Sequence, residues 1–167
     1  MSIDATACVH AKEIRVLRFM QGYSDDLVKD IAPADFCTQP VAGMNHPAWI
    51  IGHLAYASDG HSAEVGGTPE LTHFADRYGF GSEVSGDASL YGSKDGLIEL
   101  WHAANARYIA AMESATAEQL GKPTRGPLFE AFPTVGEFLS FSLTGHVSLH
   151  LGQLSAWRRA MGMPRLF

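Results

Sequence analysis

Leu143-Thr-Gly-His146-Val-Ser-Leu-His150-Leu-Gly-Gln153-Leu154, near the C-terminus, decides how this chain is read. It is an apolar run at helix spacing that carries two histidines four residues apart. In a helix, residues i and i+4 lie on one face, roughly 6 Å apart along the axis at about 1.5 Å rise per residue. Two imidazoles so placed can grip one metal ion. The run sits inside a longer helical pattern. Thr134, with Glu137 three positions on, forms a reciprocal capping box; Phe138, Phe141, Leu143 and Trp157 follow, and the pattern stops at Gly162 with Pro164 behind it.

Three more segments upstream share the helix period. From Ala5 to about Ile31, the residues Val9, Ile14, Leu17, Met20, Tyr23, Leu27 and Val28 recur at three- and four-residue steps. A second helix opens at Asn45-His46-Pro47, where proline suits the first helical position, and runs to about Val65. Its broad apolar face holds Trp49, Ile50, His53, Leu54, Tyr56 and Ala57. The third starts at Ser93, a good N-cap, and carries Leu97, Leu100, Trp101, Tyr108, Ile109 and Met112, ending before the breaker region Gly121–Pro133.

Residues 66–92, between the second and third helices, are rich in Gly, Ser, Asp and aromatics. So long a loop is usually a lid, a binding loop or disorder. Phe74, Tyr78, Phe80 and Tyr91 need somewhere to be buried, which favours an ordered loop lying over one end of the bundle. With no convincing strand run and no repeat, the expectation is an all-α four-helix bundle, one domain over residues 1–167. Bundle cores are natural places for metal sites built from facing helices.

The bulk numbers agree with a globular chain: 46% hydrophobic and 18% charged over 167 residues. A net charge of -6 argues against nucleic acid as a partner, because phosphate neutralisation needs clustered Lys and Arg. The one basic cluster, Arg158, Arg159 and Arg165, reads as cations at a helix C-terminal end. Only two cysteines occur, Cys8 and Cys37, outside any CxxC pair, so a reducing cytosol is the plain expectation. The N-terminus, with Asp4, Lys12 and Glu13, lacks the form of a signal peptide. No apolar run approaches the roughly 18 residues of a membrane span. A cytoplasmic protein is expected.

His53 occupies the same kind of apolar position as the C-terminal pair, one turn after Trp49 and one before Tyr56. Three protein ligands, His53, His146 and His150, would leave a coordination position for water or substrate, which distinguishes a catalytic from a structural metal site. The plainer alternative is a set of hydrogen-bonded, half-buried core histidines. HExxH is absent, since Val147 follows His146, so no glutamate stands beside the site as general base. Asp59, Glu64 and Gln153 are candidates by helical spacing only. Gln153 either supports His150 or caps a loop carbonyl.

Trp49 and Tyr56 bracket His53 and can wall a pocket, while Trp101, Tyr108 and Trp157 read as core aromatics. His46, two turns before His53, reads first as an N-terminal helix residue and secondarily as a residue lining the site. His10, His61, His73 and His102 read as solvent-facing or loop residues. Nothing near Cys37 lowers its pKa, which speaks against a nucleophile. No catalytic residue can be assigned from the sequence.

Three stretches together carry a family likeness: Gly43-Met-Asn-His-Pro-Ala-Trp-Ile-Ile-Gly-His53-Leu; the loop Tyr78-Gly-Phe-Gly-Ser82 through Tyr91-Gly-Ser93; and His146-xxx-His150-Leu-Gly-Gln153-Leu followed by Arg158-Arg159. In order and spacing the chain resembles the DinB-like (YfiT-like) superfamily over nearly its whole length. The resemblance implies a four-helix bundle binding one divalent metal, often zinc or nickel, with ligands matching His53, His146 and His150. It also implies a homodimer. The superfamily is similar in fold to thiol-dependent transferases and isomerases, and some members are described as metal-dependent hydrolases.

A fold alone does not decide chemistry. The expectation is a metal-dependent enzyme acting on a small molecule, either an S-transferase using a low-molecular-weight thiol or a hydrolase. The alternative is a non-enzymatic metal- or ligand-binding or dimerisation module. Imidazole suits zinc, nickel, iron and copper alike, so the residues themselves do not name the metal.

Overall fold

The computed structural model describes residues 8–126, 128 and 130–166. The helices are α1 (Ala11–Val28), α2 (Pro47–Ser62), α3 (Ala75–Tyr78), α4 (Lys94–Glu113), α5 (Ala117–Leu120), α6 (Val135–Phe141) and α7 (Val147–Ala160). One wider π turn, Ser142–His146, joins α6 to α7 without a break in the rod. Among the described residues there is no strand, only an isolated bridge between Pro123 and Thr134. The chain is all-α. No described helix is long and apolar enough to cross a membrane.

Four long rods make the bundle: α1, α2, α4 and the α6–π–α7 rod. The most extensive packing is between α2 and α4; α1 lies against α4 and α7, and α2 against α7. The sequence explains why α2 is central. It is apolar nearly all round, and thirteen of its sixteen residues, from Pro47 to Ser62, are buried. Its amino-terminal cap is His46, whose side chain accepts from the Trp49 N–H, with Pro47 at the first helical position. Ser93 caps α4 and Thr134 caps α6 in a complete capping box with Glu137.

Buried polar groups on the large aromatics find partners. The Trp101 indole N–H donates to Ser24 Oγ at 3.0 Å, and Trp157 donates to the Thr38 carbonyl at 2.7 Å. Both rings are fully buried, so truncating either would cost about 3–5 kcal/mol.

Several boundaries differ from the sequence expectation. The first helix begins at Ala11 and ends at Val28, inside the expected span, with Ala5 outside the described residues. The third helix stops at Glu113, and Thr116 then caps the separate helix α5 through its own capping box with Gln119. Residues 66–92 are ordered around two 3-10 turns, Thr72–Phe74 and Ala88–Leu90, and the short α3. Tyr78 and Tyr91 are buried there as expected, but Phe80 is 97% exposed, because its backbone sits where the loop crosses a cavity mouth.

Arg158 lies in the last turn of α7, the helix-end position expected of it, and is 2% exposed. Its guanidinium forks onto both oxygens of Asp30 and also donates to the Leu27 and Pro164 carbonyls, tying the end of α1 to the end of α7. A bidentate guanidinium–carboxylate pair matches planar donors to planar acceptors.

Candidate metal centre

Three residues on one face of α2 hold the loop that follows α3. His46 donates from Nε2 to the Ser85 carbonyl at 2.8 Å, the Trp49 indole N–H donates to Ser82 Oγ at 3.0 Å, and His53 Nδ1 donates to the Tyr78 carbonyl at 2.6 Å. Steps of three and four residues keep 46, 49 and 53 on one stripe of the helix. Gly52 completes the arrangement, because a Cβ there would lie 2.2 Å from the Tyr78 ring. Only a residue without a side chain lets that buried tyrosine approach the helix.

The Tyr78 carbonyl can only accept, so His53 carries its proton on Nδ1 and presents a lone pair at Nε2. The Trp49 indole stacks on the His53 ring, with centroids 4.7 Å apart and planes 6° from parallel. The ring is therefore held by a hydrogen bond at one edge and an aromatic face along its plane. His53 is 7% exposed, and burial lowers its pKa against a partly opposing contribution from the Tyr78 carbonyl.

From the facing rod, His146 ends the π turn and His150 follows one helical turn later. His53 Nε2 and His146 Nε2 lie 3.2 Å apart. The ring centroids of His150 lie 4.5 Å from His53 and 4.7 Å from His146. One ligand nitrogen from each of the three falls within 4.8 Å of the others. His150 Nδ1 donates to Gln153 Oε1 at 3.1 Å, and that oxygen also accepts from Asn45 Nδ2 at 3.0 Å.

This donor set fits a divalent cation. Two nitrogens sharing a tetrahedral ion at about 2.0–2.1 Å stand about 3.3 Å apart, close to the His53–His146 separation. An N–H···N bond between those two rings would satisfy one pair and leave the Nε2 of His150 outside it, whereas a shared cation engages all three. Ligation needs neutral imidazoles, and the site keeps them neutral. Burial, then the neighbouring His150, His53 and His61, pushes His146 down to about 3; burial and His53 push His150 down to about 4.

The wider turn at Ser142–His146 shapes the facing wall. Four-residue steps along an α-helix drift by about 40° each. A turn closing on i→i+5 bonds takes back part of that drift, so Phe138, Ser142, His146 and His150 all border the same cavity. Small and back-bonding residues accommodate it. Thr144 donates to the Ser140 carbonyl at 2.7 Å, and a Cβ on Gly145 would meet the Phe141 ring at 2.8 Å.

The cavity above the three histidines has a volume of about 1010 Å³. Trp49, Tyr56, Phe138 and Phe141 give it aromatic walls, the exposed Phe80 lies at its edge, and Asn45, Ser82 and Arg125 add polar lining. Trp49 and Tyr56 both border this cavity. His46 does not border the cavity, because both its ring nitrogens are used in capping α2 and holding Ser85.

His61 was missed by the sequence reading. It is not a solvent-facing histidine: it lines the cavity, 6.0 Å from His146 between ring centroids, and its Nδ1 shares a hydrogen bond with Ser142 Oγ at 2.6 Å. Burial, then His53, pushes it down to about 4. A signal for it existed: it lies eight residues after His53, about 80° around the same helix at about 100° per residue. His10 is also buried rather than exposed, whereas His102 pairs with Asp25 at 2.8 Å on the surface.

The suggested bases do not serve as bases. Asp59 is 1% exposed, with one oxygen taken by Arg107 at 2.7 Å and the other by the N–H groups of Glu70 and Leu71, each at 2.8 Å. It pins the chain after α2. Glu64 is exposed and does not border the cavity. Cys37 is buried, and burial raises its pKa, which keeps it a thiol.

Fold and site together define a helical bundle with a three-histidine group at the floor of a cavity, an arrangement able to hold a metal ion. The family model of the DinB superfamily matches residues 17–154, a stretch that includes all three histidines, and the chain belongs to that superfamily. No curated protein and no solved structure matches the chain.

Proposed function

We propose that the chain binds one divalent metal ion, zinc or nickel, through His53, His146 and His150, and is a metal-dependent enzyme acting on a small molecule. The observation that carries this reading is the convergence of three neutral imidazoles at the floor of a 1010 Å³ cavity. A divalent ion held by uncharged ligands keeps its full charge and, when bound, supplies Lewis acidity that lowers the pKa of a water or thiol.

The chain's own residues supply position and shelter. Tyr78 and Trp49 fix His53, and Gln153 fixes His150; such supporting hydrogen bonds orient imidazole ligands. Phe138, Phe141 and Tyr56 exclude water from the cavity wall. His61, tied at Nδ1 to Ser142, is a neutral hydrogen-bonding group for whatever occupies the cavity.

Thiol-dependent group transfer is favoured over hydrolysis by one feature. The only carboxylate among the described lining residues is Asp59, which is fully engaged, so no free carboxylate borders the site as a base, and the burial that lowers His61 to about 4 makes that imidazole a weak one. A thiol, with an ordinary pKa near 8.5, needs less help to ionise than water does. Action as a homodimer in the cytoplasm belongs to the same proposal.

Elemental analysis of the purified protein, beside the His150→Ala variant, tests the ligand assignment: wild type should carry one ion per chain and the variant should lose it. Full occupancy in the variant would refute the assignment. In cobalt-substituted protein, a small thiol should change the visible spectrum. A response to water-competing anions and none to thiols would favour hydrolysis.

A further inference from the structure

The charge of the cavity lining is lopsided. Asp59, the one acidic residue among the described lining, is neutralised by Arg107 and two backbone N–H groups. Arg125, on the segment between α5 and α6, borders the same cavity and has no ion-pair partner among the described residues. The four cavity histidines carry no negative charge. The lining is thus uncompensated positive in a chain whose net charge is -6. Clefts of one sign with low-dielectric walls focus the field and concentrate ligands of the opposite sign.

The walls say what body the anion carries. Trp49, Tyr56, Phe138 and Phe141 line the cavity with aromatic rings, and the volume far exceeds that of an inorganic anion. Ligand pockets of this kind combine apolar walls with a few polar groups that orient the ligand.

We propose that the cavity takes a carboxylate-bearing small molecule with an apolar or aromatic body, its carboxylate paired with the Arg125 guanidinium. This rests on the functional reading above for the metal's share of the positive charge, but not for the share of Arg125. Guanidinium is suited to the role because it presents planar, parallel donors to a planar carboxylate.

The test uses matched pairs of probes: phenylacetate, 3-phenylpropionate and 4-phenylbutyrate, each against its uncharged amide. Binding is read by calorimetry and by quenching of Trp49, which borders the cavity while Trp101 and Trp157 are fully buried. In the metal-loaded protein at least one acid should bind about tenfold or more tighter than its amide, the scale of one charge-assisted pair. Part of that preference should persist in metal-free protein and vanish in Arg125→Gln. Arg125 is exposed, so the variant should fold as the wild type does.

Equal binding of every acid and its uncharged partner, 3-mercaptopropionate and its methyl ester included, or no binding of any probe, would overturn the proposal. So would a preference in metal-free protein that survives Arg125→Gln. A chain that never takes up metal would defeat the functional reading, yet an Arg125-dependent preference would still uphold the ligand class. Metal uptake with no preference would defeat the ligand class alone. Adding 3-mercaptopropionate against its methyl ester tells which substrate bears the anion: a charge preference seen only with this pair supports a carboxylate on the thiol, and one seen with the arylalkanoates supports it on the other substrate.

Discussion

His53 is held by the main chain of Tyr78: its Nδ1 donates to that carbonyl at 2.6 Å, from a helix that Tyr78 can approach only because residue 52 is glycine. The position of one candidate ligand therefore depends on a residue that touches no metal.

Gly52→Ala tests this dependence. Alanine in a helix interior normally stabilises by about 1 kcal/mol relative to glycine. Here its Cβ would meet the buried Tyr78 ring at 2.2 Å, so overpacking should reverse the sign and cost about 1–3 kcal/mol. Displacing the Tyr78 carbonyl should also weaken metal binding about 10–100-fold. Denaturant unfolding and a competitive metal titration check both effects; a more stable variant with unchanged affinity would contradict the argument.

His61 and His146 should separate cleanly. His61→Ala is expected to keep the full complement of metal, since its Nδ1 is engaged by Ser142 and it lies outside the group of three. His146→Ala should lose the metal. Elemental analysis of both variants is the measurement, and metal loss in His61→Ala would make that residue a ligand.

Asp59→Ala should destabilise the fold by about 3 kcal/mol, because it removes the buried one of Arg107's two carboxylate partners, leaving the exposed Glu70, and leaves two loop N–H groups without an acceptor. The three histidines are not contacted by that carboxylate. Thermal unfolding should shift down while metal stoichiometry holds; an unchanged midpoint would show that Asp59 does not anchor the loop.

The Arg158 guanidinium, through its hydrogen bonds first, holds the Asp30 carboxyl below the usual carboxylate range. A depressed folded-state pKa means that the unfolded chain binds its proton first as the solution is acidified. The contribution to stability is fully present above the unfolded value of about 3.9 and is lost as pH falls through the folded value. Asp30→Asn should therefore lower stability at pH 7 and flatten the acid limb of the stability curve. Denaturation midpoints measured from neutral pH to pH 2 check it, and an identical acid limb in both proteins would remove Asp30 from the account.

Much of the bundle was legible because its signals are local. Pro47, Ser93 and the Thr134–Glu137 box marked three helix starts, since capping depends on residues within one turn of each other. The break at Ser114 was not read, although Thr116 and Gln119 form the same kind of box. The π turn left only a faint trace in Thr144 and Gly145, because the turn is set by packing on Phe141 and by the hydrogen-bond ladder of the rod.

The all-α class, the placing of the rods and the histidines worth considering follow from local signals, because helix period and capping are written in neighbouring residues. Tertiary structure alone decided which side chains meet. It brought His61 to the cavity, turned Asp59 and Arg158 from free charges into anchors, and left Arg125 facing the cavity without a carboxylate. Those outcomes depend on contacts between residues far apart in the chain, where burial and the geometry of facing rods, not local propensity, set the free energy of a charge.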